Sequence, residues 1–306
     1  MVGSRTEPRV SRRADRMASR AAAAVSPASA AGVRDRWRDL RKRVASAVLL
    51  LPAAILCIWL GAEAWTALLA AAMAVLAWEW VRLCGFSTRR LPGMAVPLAV
   101  LAGGTFAVSG AHGAALLLLL GGFVLVSGLA RRVPLTGAAP ATWLAFGVLY
   151  IGAAGVALIY LRGDEAVGRG NVLFLFLVVW ASDIGAYLAG RTIGGPRLAP
   201  AISPNKTWSG AMGGLLSAVA AGAAAAYVIH PAPSGHVFLV TALLGLLTQA
   251  GDLFESWIKR RFQVKDSSSL IPGHGGLLDR LDGVLAAAPA AAVLALLLGR
   301  GVMLWH

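Results

Sequence analysis

VFLVTALLGLLTQAGDLFESW (residues 237–257) and the IKRRFQVKDSSSLIPGHGGLLDRLDG that follows it (258–283) decide how this chain is organised. The first piece is an apolar run of about the 20 residues needed to cross a bilayer, turning acidic only at Asp252 and Glu255. The second piece carries Lys and Arg residues, three carboxylates, one histidine and four glycines. Charge of both signs beside hydrocarbon is costly to maintain, so such a cluster marks a site rather than decoration. Its residue types are those that hold a metal ion and a polyphosphate together.

The bulk of the chain agrees with a membrane setting. Of 306 residues, 58% are hydrophobic and 14% charged, with mean hydropathy +0.72; a soluble domain carries roughly 25% charged residues. Working outward from 237–257, nine apolar runs lie near spanning length: 44–62, 64–83, 93–110, 113–130, 141–161, 171–190, 209–229, 237–257 and 282–299. The expected fold is therefore all-α and polytopic, with about nine transmembrane helices. The first long run begins near Val44, late for a cleavable signal peptide, and reads as a retained helix. Residues 1–43 form a basic arm, largely disordered by composition, that carries +8 of the net +14 charge. It reads as a cytoplasmic tail lying near anionic lipid, and no nucleic-acid partner is expected. Within it, Arg34 to Arg43 can form a short interfacial helix. The catalytic region of the membrane domain, 44–306, falls at 180–283.

Orientation follows from the distribution of cations. With the tail in the cytoplasm, thirteen Lys and Arg residues between Arg82 and Arg280 fall on the cytoplasmic side, and only Arg162, Arg169 and Arg300 on the far side. The loops 191–208 and 258–281 then share the cytoplasmic face, open to a cytosolic anion. A multi-pass cell-membrane protein with a cytoplasm-facing site is expected.

Asp252, Glu255, Ser256 and Lys259 recur at i, i+3, i+4 and i+7, one face of a helix. A Glu255–Lys259 ion pair explains two of them but not Asp252, one turn deeper. Lys259, Arg260, Arg261 and Lys265 are common currency for a cytoplasmic loop. Beside Pro272, Gly273, His274, Gly275 and Gly276 they gain specificity, because glycines let backbone N–H groups approach an anion. No Walker A and no strand-borne GxGxxG is present. Asp279 and Asp282 share the first turn of the last helix, where the macrodipole favours acids, and two carboxylates beside Arg280 fit a Mg²⁺ site completed by substrate phosphates. Asp183 lies two turns inside the sixth run, an intramembrane carboxylate and so a functional candidate. Ser203 and Pro204 fit a helix start as well as an anion pocket with Lys206, and both readings stay open. Glu79, between Trp78 and Trp80, reads as an interfacial anchor paired locally with Arg82. Cys57 and Cys84 read as small apolar residues.

The run Ser256-x-x-Lys259-Arg260-x4-Lys265-Asp266-x5-Pro272-Gly273-His274-Gly275-Gly276-x2-Asp279-Arg280-x-Asp282 closely resembles the hallmark of phosphatidate cytidylyltransferases. Asp183, Ala186-Tyr187, Gly190-Arg191 and Ser203-Pro204-x-Lys206-Thr207 resemble that family too, in the right order; the likeness covers roughly 44–306 and excludes the tail. It implies that CTP and phosphatidate from the cytoplasmic leaflet give CDP-diacylglycerol and pyrophosphate. On this reading Asp252 and Asp279 bind Mg²⁺, with Asp282 and Asp183 as neighbouring carboxylates and room for a second cation. Lys259, Arg260, Lys265 and Arg280 neutralise the triphosphate and lipid phosphate, Lys206 and Ser203 complete the anion pocket, and Ser256, Gly273, Gly275 and Gly276 line it. The lipid phosphate is already an anion, so His274 donates a hydrogen bond rather than acting as a base. A homodimer is an allowed assembly. A related enzyme acting on another lipid or polyprenyl phosphate is the main alternative; an ion-coupled transporter is the other, disfavoured because the polar residues gather on one side.

Overall fold

The structure is a computed structural model that describes residues 52–133, 140–229, 235–270 and 275–305. The basic tail and residues Pro272, Gly273 and His274 lie outside that set. In chain order the helices are α1 (through 52–60), α2 (Ala62–Leu83), α3 (Ala95–Val108), α4 (His112–Arg131), α5 (Ala141–Gly163), α6 (Gly168–Thr192), α7 (Trp208–Ile229), α8 (His236–Arg261) and α9 (Leu278–Leu298). Each of the nine apolar runs thus carries a helix. Seven of these are long and apolar enough to cross a membrane, whereas α3 has 14 residues. Helices are the expected outcome, because hydrocarbon offers backbone N–H and C=O groups no partner outside the segment itself. The all-α expectation omits one feature: between α6 and α7 the chain makes an antiparallel hairpin of β1 (Arg197–Ala199) and β2 (Ser203–Thr207), pairing Arg197 with Thr207 and Ala199 with Ser203.

Two apolar cores divide the bundle. One joins α2, α3, α4 and α5 around Trp80, Val96, Leu119, Leu144 and Ile151, and reaches Ile258 and Leu278. The other joins Trp65 of α2 and the end of α5 to α6, α7, α8 and α9 around Leu175, Val178, Leu244 and Ala288. Bilayer lipid is as apolar as leucine, so association depends on close approach at small residues. A methyl group on Gly185 of α6 would lie 2.7 Å from the carbonyl oxygen of Gly213 on α7. One on Gly251 of α8 would lie 2.5 Å from the carbonyl oxygen of Asp282 on α9. Those two crossings sit beside Asp183 and Asp252, so the small residues that let the helices touch also bring the acids together.

At the opposite end the chain folds back after α9. Gly301 N–H donates to Asp164 Oδ2 (2.8 Å), Leu304 N–H donates to Asn171 Oδ1 (2.9 Å), and the Trp305 ring packs on Phe174 with centroids 4.6 Å apart. The Gly301 N–H, with those of Val167 and Ala166, holds the half-buried Asp164 carboxyl below its ordinary value. A depressed folded value means that Asp164 stabilises this end at neutral pH and stops doing so as the pH falls through that value. The melting temperature of Asp164→Asn in detergent is therefore expected to fall below that of the parent at pH 7, with the gap closing as the pH drops below about 4.

Candidate functional site

β2, α6, α8 and α9 enclose a cavity of about 740 Å³ at the end of the bundle that carries the hairpin. Asp183, Lys206, Asp252, Asp279, Arg280 and Asp282 line it, with Tyr187, Arg191, Asn205 and Gln249. Six residues singled out from sequence, on four separate elements, therefore share one space.

Each element delivers its side chains for a local reason. Thr207 ends β2 and starts α7: its Oγ1 accepts the Gly210 N–H at 3.1 Å, an N-terminal cap. The helix thus begins after Thr207, and Ser203 and Pro204 lie in β2 instead of opening it. Residues alternate along a strand, and Lys206 reaches the cavity, where its Nζ lies 2.6 Å from Asp252 Oδ2. Arg260 Nε donates to the Ile202 carbonyl at 3.3 Å, tying the end of α8 to the hairpin.

Asp279 occupies the first turn of α9 as read from sequence, and it is heavily engaged. Its Oδ2 accepts the Gly276 N–H (2.8 Å), the Ser267 N–H (3.0 Å) and the Ser267 hydroxyl (3.0 Å), and its Oδ1 lies 2.7 Å from Lys259 Nζ. Lys259 also meets Glu255 Oε2 at 2.8 Å. The expected Glu255–Lys259 pair forms, but Lys259 sits between two carboxylates and is absent from the cavity lining. Lys265, Arg260, Ser203 and Ser256 also stand outside the lining. Gly275 adopts φ 83°, a left-handed conformation that glycine takes without penalty, at the turn that aims the Gly276 N–H at Asp279. Gly273 and His274 fall outside the described residues.

Glu255 was read from sequence only as an ion-pair partner. Its side chain is 2% exposed, and its Oε1 is buried with no hydrogen-bond partner among the described residues. Carboxylate oxygens of Asp252, Glu255 and Asp282 lie within 4.8 Å of one another. With Asp183 and Asp279, five acids converge here against Lys206, Lys259 and the arginines. Clustered carboxylates repel strongly where water is scarce, so the arrangement fits a cation: hard oxygen ligands, several of them, with one buried oxygen left to satisfy.

Glu79 is the residue that sequence reading missed. It is fully buried, and it bonds residues almost two hundred positions away instead of Arg82. Its Oε1 accepts the Ser268 hydroxyl (2.6 Å) and the Leu277 N–H (2.9 Å), and its Oε2 accepts the Leu278 N–H (2.7 Å). Arg82 lies over the Trp78 ring, 4.9 Å from its centroid. A carboxylate buried in an apolar helix was the available signal; its partner was not.

Comparison with known proteins supplies the family. The cytidylyltransferase family matches residues 41–298. A phosphatidate cytidylyltransferase of Pseudomonas aeruginosa is 36% identical over 265 residues, 83% of this chain and 96% of that protein. One from Brucella suis is 52% identical over 146 residues, 48% of this chain and 54% of its own length, so the chain spans about half the length of that relative. One from Staphylococcus saprophyticus is 40% identical over 151 residues, 49% of this chain and 58% of that protein. Both the extent of the family match and the near full-length likeness to the Pseudomonas protein lead to one conclusion: this chain belongs to the cytidylyltransferase family.

Proposed function

We propose that the chain is a phosphatidate cytidylyltransferase, transferring the cytidylyl group of CTP to phosphatidate and releasing pyrophosphate. The observation that carries this reading is the convergence of carboxylates from α6, α8 and α9 with Lys206 and Arg280 in a single cavity, in a chain whose relatives bear that name. Both substrates are anions, so the protein's task is to hold two mutually repelling groups in line.

In the reaction a lipid phosphate oxygen forms a bond to the α-phosphorus of CTP, and the bond from that phosphorus to the bridging oxygen of the β-phosphate breaks. The nucleophile is ionised at neutral pH, so no side chain need remove a proton. Lys206, Arg191 and Arg280 face the cavity and neutralise phosphate charge there. Asp252, Glu255 and Asp282 would hold Mg²⁺, with Asp183 beside them; Asp279, whose oxygens are engaged, orders the loop. When bound, Mg²⁺ supplies positive charge to the phosphates as negative charge moves onto the leaving group. The cation bias of the sequence supports a cavity on the cytoplasmic face of a cell membrane, with phosphatidate entering from the inner leaflet.

The test is purified protein with labelled CTP and vesicles containing phosphatidate. Label is expected in the organic phase with an equal amount of pyrophosphate, and EDTA is expected to abolish the transfer, with excess Mg²⁺ restoring it. Transfer to undecaprenyl phosphate but not phosphatidate would reassign the acceptor. Absence of any lipid product would reject the reading.

A further inference from the structure

We propose that Glu79 of α2 is a positioning residue that places Asp282, the metal-binding carboxylate of α9, without touching a substrate. Its place in the fold allows little else. Glu79 is 0% exposed, it is absent from the cavity lining, and its hydrogen-bond partners among the described residues are neutral N–H or O–H donors of Ser267, Ser268, Leu277 and Leu278. Two of those donors, Leu277 N–H and Leu278 N–H, lie at the start of α9. An anion is favoured at that position, because the first backbone N–H groups of a helix have no partner within it and the macrodipole is positive there. Charged acceptors also make the stronger hydrogen bonds.

The first five residues of α9 include Asp279, Arg280 and Asp282. Fixing Leu277 and Leu278 against α2 therefore fixes where those side chains stand relative to Asp252 and Glu255 of α8. A second connection runs through Ser267. Its hydroxyl lies 3.5 Å from Glu79 Oε2 and 3.0 Å from Asp279 Oδ2, and Asp279 in turn holds Lys259, which holds Glu255. Glu79 thus starts a chain that ends at the buried Glu255 carboxylate, one of the three acids within 4.8 Å of one another. Gly276 is fitted closely to Glu79 as well. A methyl group on Gly276 would lie 2.6 Å from Glu79 Oε1, so the chain passes too close for a larger residue.

This inference rests on the proposed metal site, and its test separates the two. The variants are Glu79→Gln, which keeps shape but turns one acceptor into a donor facing N–H groups, and Ser268→Ala, which removes one donor and leaves the carboxylate in place. Affinity for Mn²⁺ alone is measured by electron paramagnetic resonance on folded protein without CTP. It is followed by turnover at subsaturating Mg²⁺, the KM for CTP at saturating Mg²⁺, and the melting temperature. Glu79→Gln is expected to weaken Mn²⁺ binding by about 10- to 100-fold and to lower turnover at subsaturating Mg²⁺ in proportion, with the KM for CTP at saturating Mg²⁺ within about 3-fold of the parent. Ser268→Ala is expected to weaken Mn²⁺ binding a few-fold, and it decides the matter should Glu79→Gln fail to fold. Parent-like Mn²⁺ affinity in the folded variant, whatever its melting temperature, overturns the proposal. If the parent binds Mn²⁺ and Glu79→Gln does not, yet neither makes a CDP-lipid, the positioning role holds and the substrate reading fails.

Discussion

Asp252→Asn is expected to lower CDP-lipid formation by at least about 100-fold while leaving the bundle folded, as loss of a ligand charge does at metal centres. Two effects of the substitution compete. It removes the Lys206–Asp252 ion pair, 2.6 Å long, and it removes a charged oxygen from the cluster with Glu255 and Asp282. The pair is 25% and 38% exposed on its two sides. Open to water to that extent, it contributes no more than about 1 kcal/mol. The melting temperature should therefore move by only a few degrees. The catalytic loss is far larger, because Asn retains the shape of Asp but none of its charge. Radiolabelled product formation and a melting curve on the same sample separate the two quantities. Near-parental turnover would remove Asp252 from the site.

Lys259→Met is expected to do the opposite and strike stability first. Methionine fills the space of the lysine stem and deletes the ammonium group. It leaves Glu255, 2% exposed, and Asp279, 8% exposed, facing each other with no cation between them. Breaking a buried pair by removing one partner costs about 3–5 kcal/mol, because the remaining charge stays desolvated. Here one lysine serves two acids. A fall in melting temperature of about 6–20 degrees, or loss of folded protein on purification, is the expected outcome. A lysine that only gripped the triphosphate would give another pattern: unchanged melting and a raised KM for CTP. Measuring both decides which role Lys259 has.

Much of this organisation was readable in the sequence, and the failures have physical causes. Nine apolar runs gave nine helical segments because hydrocarbon permits little else. Asp252 and the Asp279–Asp282 pair were legible as helix-face patterns, and Asp183 as a carboxylate inside an apolar run; the cavity gathers all four. The cation bias put the 191–208 and 258–281 loops on one side, and the Arg260–Ile202 bond joins them. Glu79 was misread because local spacing offered Arg82, whereas its true partners depend on how α2 packs against the start of α9. Glu255 looked settled by its i+4 lysine, and sequence could not show that this lysine also serves Asp279. The hairpin was missed for another reason: its strands are three and five residues long, with Pro204 inside the second. Ser203-Pro204 and Thr207-Trp208 are both acceptable helix starts, and the chain uses the second.

The most direct test is Mn²⁺ binding to the purified parent and to Asp252→Asn, Glu255→Gln and Asp282→Asn, with Arg261→Gln as a control outside the cavity lining. The parent and the control should bind the ion alike, and each of the three carboxamide variants should bind it at least about tenfold more weakly. Equal affinity across all five proteins would contradict the claim that these acids of α8 and α9 form one cation site.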